Sequence, residues 1–331
     1  MKLVVTALAE VILLLAVLQG CSEPFSPKGP YEEQLVVYSV LSNTRNAQFV
    51  RVYTTYNPPG VDPYAETFDP AIRNAQVRLA VGGVTYTLRD TVVPRDQTAR
   101  YTDSVHAYVA DPLPVSRGDS YTLTVSTPTL GSVSAESAVP AAGIATLPGK
   151  SALESPSDNL GDVIVNVYLA PQTFGYRLQL FLDFEVFTAG AWVTHQIEIP
   201  QSLKSGEGQG SELYNYPSLK RRDTSSKSSE TAAFTHQAYA SLLAQLGNQY
   251  SNMKIRFKDA VLVLSQADQA FYTYYSIANG FQDEFSIRTD EPDYTNIAGG
   301  RGVFGSLTSD TSVISLIGPI SSTTGQLVAP R

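Results

Sequence analysis

The chain reads as mostly β: an N-terminal immunoglobulin-like β-sandwich followed by a second β-rich domain carrying two α-helices. Three observations predict this. Apolar and polar residues alternate over many short runs, the period-two pattern of half-buried strands. Clusters of Gly, Pro, Asn and Asp punctuate those runs as turns. Only two segments, near residues 239–250 and 267–278, show apolar spacing at helical period. Composition sets the outer limits. The 331 residues hold 43% hydrophobic side chains, one cysteine and a net charge of −8. That length and apolar content suit two domains and exclude a disordered chain. One cysteine excludes a disulfide scaffold. An acidic chain repels phosphates unless it carries a basic stripe, and Lys220-Arg221-Arg222 is too short for one, so no nucleic-acid partner is expected.

The N-terminus reads as an address. Met1-Lys2 is basic, and an apolar stretch from Leu3 to Leu18 follows, interrupted by Glu10. A bilayer span needs about 20 apolar residues, so residues 1–20 read as a signal peptide and not as a membrane helix. The stretch ends at Leu18-Gln19-Gly20-Cys21, which resembles the lipobox of bacterial lipoproteins. In that pattern the peptidase cuts before the cysteine and the Cys21 thiol carries the lipid. Gln19 and Glu10 depart from the usual pattern. Residues 21–32, rich in proline, form the expected tether, because proline favours extended backbone. Ser22 in place of Asp points to the outer membrane.

Residues 33–140 are the expected sandwich. Glu33–Leu41 and Gln48–Tyr56 are strand-like, the second with Val50 and Val52 on one face. The clearest local signal is a hairpin turning at Gly82-Gly83. It places Val81 opposite Val84, Leu79 opposite Tyr86 and Val77 opposite Leu88, all on one face. Arg100–Ala110, Tyr121–Val125 and Val133–Val139 continue the pattern. Arg117-Gly118-Asp119 matches an integrin tripeptide but reads as the turn before the Tyr121 strand. Residues 141–160, rich in Ala, Gly, Pro and Ser, are the expected linker.

Residues 161–320 are the expected second domain, and 321–331 a tail. Asp162–Ala170, Gly175–Phe187 and Trp192–Ile199 read as strands, and 204–231 as a long loop. Tyr239, Leu242, Leu243, Leu246 and Tyr250 predict the first helix. Lys254–Leu264 is a strand with Ile255, Phe257, Val261 and Val263 on one face. Ser265, with Asp268 three residues on, is the expected N-cap of a second helix whose stripe is Ala267, Phe271, Tyr274, Tyr275 and Ala278.

Tests for chemistry give little. Gly300-Arg301-Gly302-Val303-Phe304-Gly305 spells a dinucleotide fingerprint, but loop residues precede it and no helical stripe follows. His106, His195 and His236 have no zinc-ligand spacing. No G-x-S-x-G elbow exists. The acidic residues Asp283, Glu284, Asp290, Glu291 and Asp293 read as a solvated loop. The expectation is a non-enzymatic protein without cofactor or metal.

The segment Glu291-Pro292-Asp293-Tyr294-Thr295-Asn296-Ile297-Ala298-Gly299-Gly300-Arg301-Gly302-Val303-Phe304-Gly305 is distinctive. It resembles the end of a Bacteroidota lipoprotein family known as domain of unknown function 4249. Asn296, Ile297, Gly299, Gly300, Gly302, Phe304 and Gly305 carry the likeness; Thr295 replaces the usual serine. Val36-Val37-Tyr38-Ser39-Val40-Leu41, Asn74-Ala75-Gln76-Val77 and Gly118–Val125 agree with it too. The resemblance implies an exported outer-membrane lipoprotein whose relatives' genes often lie beside those of TonB-dependent receptors. The expected partners are therefore the outer membrane, through lipid on Cys21, and a TonB-dependent barrel; the ligand is open. Alternatives are a surface adhesion module and an extracellular hydrolase. In physical terms the motif reads as a glycine-hinged turn with Phe304 plugging a core, in preference to a ligand loop.

Overall fold

A computed structural model describes residues 31–57, 71–94, 103–149, 152–154, 161–204, 213–223, 229–279, 294–317 and 327–328. Cys21, the tether before residue 31, the acidic run 283–293 and most of the C-terminal tail lie outside the described residues. Met1–Glu33 and Gln34–Arg331 are separate units, and the second holds the fold.

Eight strands build the first half. They are β1 (Leu35–Leu41), β2 (Gln48–Thr54), β3 (Gln76–Val81), β4 (Val84–Thr87), β5 (Arg89–Pro94), β6 (Ser104–Ala110), β7 (Ser120–Thr127) and β8 (Gly131–Ala138). One sheet runs β1-β2-β6-β5 and the facing sheet β4-β3-β7-β8. Alternation decides which side chains point inward. Val37, Val50, Val52, Val77, Leu79, Leu123 and Val125 are fully or almost fully buried between the sheets, and buried apolar area of this kind supplies the main driving force for folding. The β3–β4 hairpin has the expected register: Val81 pairs with Val84 and Leu79 with Tyr86, and Leu88 N–H donates to the Val77 carbonyl at 2.9 Å. Gly82 and Gly83 both have positive φ, as a tight hairpin turn requires.

The second half contains β9 (Ile144–Thr146), β10 (Ala152–Glu154), β11 (Val163–Tyr168), β12 (Gly175–Thr188), β13 (Ala191–Ile199), β14 (Ser202–Lys204), β15 (Leu213–Asn215), β16 (Lys220–Arg221) and β17 (Ser229–Phe234). Then come α1 (His236–Gln249), β18 (Lys254–Ala267), α2 (Gln269–Asn279), β19 (Arg301–Ile317) and β20 (Leu327–Val328). The 141–160 stretch thus contributes two short strands, β9 on β11 and β10 on β19. The 204–231 stretch carries β15, β16 and the start of β17 where a long loop was expected. Its tyrosine and lysine side chains give it anchors: Tyr214 Oη lies 3.0 Å from Ser241 Oγ, and Lys220 Nζ sits 4.6 Å from the centre of the Tyr176 ring. The second core lies between β12–β18 on one side and β11, β17 and α1 on the other.

Two features differ from the simple alternating pattern. First, the β12–β18 register shifts between Leu182 and Phe184. Such an irregularity exchanges the faces of the strand beyond it. Ile255 and Phe257 point into the core as expected, but Ala260, Leu262 and Leu264 then take the inward positions that Val261 and Val263 were expected to fill. Second, β18 extends to Ala267, so Ser265 and Ala267 belong to the strand. The N-cap of α2 is Asp268, whose Oδ1 accepts from Phe271 N–H at 2.8 Å.

Strand β19 joins the halves. Its first residues pair parallel with β1, from Val36 opposite Arg301 to Leu41 opposite Ser306. Its later residues pair antiparallel with β18, from Ala267 opposite Leu307 to Asp259 opposite Ser315. One continuous sheet therefore runs β13-β12-β18-β19-β1-β2-β6-β5.

Candidate functional site

The glycine motif begins as a loop at Tyr294 and becomes strand β19 at Arg301. Asn296 holds the loop. Its Oδ1 accepts from Phe304 N–H at 2.9 Å, and its Nδ2 donates to the Phe304 carbonyl at 2.7 Å. One side-chain amide thus pairs both the N–H and the carbonyl of Phe304. Ile297 and Phe304 are buried in the first-half core. Ala298 exchanges two backbone hydrogen bonds with Ser134 of β8, at 2.7 and 3.2 Å.

The glycines are required by close approach. A Cβ on Gly302 would lie 2.0 Å from the Val37 carbonyl oxygen, and its φ is +104°. On Gly300 it would lie 2.8 Å from the Leu35 carbonyl oxygen, and on Gly305 2.7 Å from the Phe271 nitrogen. Gly299 adopts φ +82° at the turn. The motif therefore lets backbone pack on backbone where β1, β19 and α2 meet. Gly299 turns the chain at positive φ, Phe304 is buried in the first core, and the motif from Arg301 onward is part of β19.

Two buried polar residues complete this junction. Asp268 is 4% exposed. Its Oδ2 accepts from Ser137 Oγ at 2.7 Å, and its own N–H donates to the Ser306 carbonyl at 3.1 Å. Burial pushes its carboxyl above the usual carboxylate range, and the hydrogen bonds from Phe271, Ser137 and Ser306 oppose that shift. The Tyr294 hydroxyl is raised by burial and by the nearby Asp268 charge. Gln266 is fully buried. Its Oε1 accepts from Ala170 N–H at 2.9 Å and Thr173 Oγ1 at 2.8 Å, and its Nε2 donates to the Ala141 carbonyl at 3.0 Å and to Asp310 Oδ2 at 3.3 Å. The capping pattern in the sequence took Asp268 as the residue three after a cap at Ser265, and it passed over Gln266. The signal for Gln266 was present: it follows the apolar stretch Ala260–Leu264 of β18 just before a helix.

Beside this junction lies an open cleft of about 490 Å³, lined by Pro171, Gln172, Thr173, Phe174, Arg222, Asp223 and Gln269. Arg222 Nη1 donates to the Ala170 and Pro171 carbonyls at 2.6 and 3.3 Å. The Arg221 guanidinium lies 5.1 Å from the Phe174 ring centre, and Tyr272 of α2 packs 5.6 Å from the same ring. Amide, guanidinium and carboxylate groups around an aromatic wall suit a small polar molecule. The Thr173 hydroxyl is committed to Gln266.

The remaining sequence candidates are dispersed. His106 lies on β6, 2.5 Å from Asp90 Oδ1 through Nε2; His195 lies on β13, stacked 5.4 Å from Phe184; His236 opens α1. Among the described residues no group of three or more His, Cys, Asp or Glu side chains is placed to hold a metal ion. Arg117 pairs with Asp310 and donates to the Ser309 carbonyl at 3.0 Å, and Gly118 has φ +84°. That tripeptide is a turn pinned to β19. No helix among the described residues is long and apolar enough to cross a membrane.

Comparison with known proteins adds the family. No curated protein matches the chain. Among solved structures, the C-terminal globular domain of an oligosaccharyltransferase from Pyrococcus abyssi aligns at 12% identity and a TM-score of 0.19. That alignment covers 88% of this chain and 52% of the other, and at such a score it carries no argument about fold or function. A family model described as "Domain of unknown function (DUF4249)" matches residues 22–312, the segment that contains the glycine motif, the first core, the second core except Ile314 and Leu316, and the cleft, and the chain belongs to that family.

Proposed function

We propose that this protein is a lipid-anchored outer-membrane protein that serves a TonB-dependent transporter as a non-enzymatic accessory or ligand-binding partner. The observation that carries the proposal is Leu18-Gln19-Gly20-Cys21 at the end of an apolar stretch too short to span a bilayer. Cys21 is the only cysteine in the chain, and the family match starts at the next residue. Acyl chains on Cys21 would hold the protein at the membrane, each buried methylene contributing about 0.8 kcal/mol. The cleft beside Phe174 and Arg222 supports the ligand-binding reading. The transporter partnership rests on the gene neighbourhoods that the family resemblance implies.

The test is affinity isolation from detergent-solubilised outer membranes after mild crosslinking, with mass spectrometry of the mature N-terminus. A Cys21→Ser variant separates anchored from stray copies. The proposal expects acylated Cys21 and near-equal recovery of a TonB-dependent barrel, lost in the variant. An unmodified Cys21 contradicts the anchor. Acylated Cys21 without a barrel contradicts the partnership.

A further inference from the structure

The walls of the cleft are held from behind. Thr173 N–H donates to the Ala170 carbonyl at 3.0 Å, and Phe174 N–H to the Ala267 carbonyl at 2.9 Å. Arg222 N–H donates to the Phe174 carbonyl at 2.9 Å, which fixes the segment carrying Arg222 and Asp223 against the residue before β12. Asp223 N–H donates to Glu230 Oε1 at 2.8 Å, and the other oxygen of Glu230 accepts from the Tyr176 hydroxyl. Gln269 is the first residue of α2, directly after its cap Asp268. Segments pinned in this way hold their side chains in place before a ligand arrives, which lowers the cost of binding.

The side chains left for a ligand decide its class. Gln172 and Gln269 are exposed, and neither amide makes a hydrogen bond among the described residues. A carboxamide donates and accepts at one place, as a hydroxyl does. The cations nearby are engaged: Arg222 on the Ala170 and Pro171 carbonyls, Arg221 over the Phe174 ring and Lys220 over the Tyr176 ring. Two carboxylates, Asp223 and Glu230, stand against these three. Cations that carboxylates already oppose do not select an anion. An apolar ligand would strip water from the two amides and leave them unpaired. The side chains of a peptide need enclosed pockets, and this cleft is open. A neutral molecule with many hydroxyls and some C–H surface meets every condition, since Pro171 and Phe174 supply an apolar patch beside the amides.

We infer that the cleft takes a neutral saccharide, with Gln172, Gln269 and Asp223 meeting its hydroxyls and Pro171 and Phe174 its C–H face. The inference rests on the ligand-binding reading proposed above and names the class of ligand. The experiment is saturation-transfer NMR on the full chain with glucose, galactose, mannose, xylose, maltose and cellobiose, and with glycylglycine and methyl phosphate as contrasts. The expected result is transfer to the ring protons of at least one sugar. Its affinity should change by less than about twofold between low and high salt, because a neutral ligand has no charge to screen. Gln172→Ala and Gln269→Ala should each weaken it about fivefold, the loss of one neutral hydrogen bond, with the circular dichroism spectrum unchanged. Transfer to glycylglycine or methyl phosphate but to no sugar, lost in the glutamine variants, overturns the saccharide and leaves the ligand-binding reading standing. Transfer to a sugar that neither variant changes overturns the cleft as its place. Transfer to none of the probes overturns the inference and the ligand-binding reading of the cleft together.

Discussion

At Gly302 the cost of a single methyl group can be read directly. Its Cβ would sit 2.0 Å from the backbone oxygen of Val37, and neither strand can move without breaking the β1–β19 ladder. With the positive φ added, Gly302→Ala should lose at least about 3 kcal/mol of stability, read as a shift in the urea midpoint. Gly82 and Gly83 make the contrast. Their φ is also positive but nothing lies within 4 Å of either Cβ, so each alanine there should cost only about 1 kcal/mol. Asp268 makes a different prediction. Its carboxyl is raised in the folded protein above the ordinary value of 3.8. The unfolded chain therefore ionises first as pH rises. The group's contribution is fully present below pH 3.8 and is lost as pH climbs through the raised folded value. Asp268→Asn, which can still cap α2 and still meet Ser137, should remove that fall from the stability–pH curve while leaving the rest of the curve in place.

Among the elements, what was legible in the sequence was local. The β3–β4 hairpin followed from alternation around Gly82-Gly83, and α1 followed from the spacing of Tyr239, Leu242, Leu243 and Leu246. Thr235 caps α1 by accepting from Ala238 N–H, so Thr235→Ala should cost about 1 kcal/mol in the thermal midpoint. What failed was set by partners distant in the chain. Alternation alone placed Val261 and Val263 inward; the register shift against β12 reversed them. The α2 cap slid from Ser265 to Asp268 because β18 continues through Ser265 to hydrogen-bond with β19. For the site, the glycine motif was visible as a motif, yet its purpose was not. Val36 and Arg301 are far apart in sequence, and nothing in either segment's own pattern names the other as its strand partner. The cleft wall was equally hidden, because Phe174, Arg222 and Gln269 come from three separate segments.

For the whole molecule, the two sequence domains share a strand. β19 gives its first residues to the first core and its later ones to the sheet of the second. Polar ties reinforce the join. Asn43 Oδ1 accepts from Ser309 N–H at 2.8 Å and its Nδ2 donates to the Ser309 carbonyl at 2.9 Å. Ser137 reaches Asp268, and Arg117 reaches Asp310. Such a body holds together a cleft whose lining comes from three separate segments. The central claim is that the glycine motif fuses the two cores into one cooperative unit. The measurement that tests it most directly is equilibrium urea unfolding followed by two probes, Trp192 emission for the β12–β13 hairpin of the second half and far-ultraviolet circular dichroism for the whole chain. Coincident transitions in the wild type, both moved to lower urea together in Gly302→Ala, are the predicted result. Separate transitions in the wild type, or a Gly302→Ala midpoint equal to that of the wild type, would contradict it.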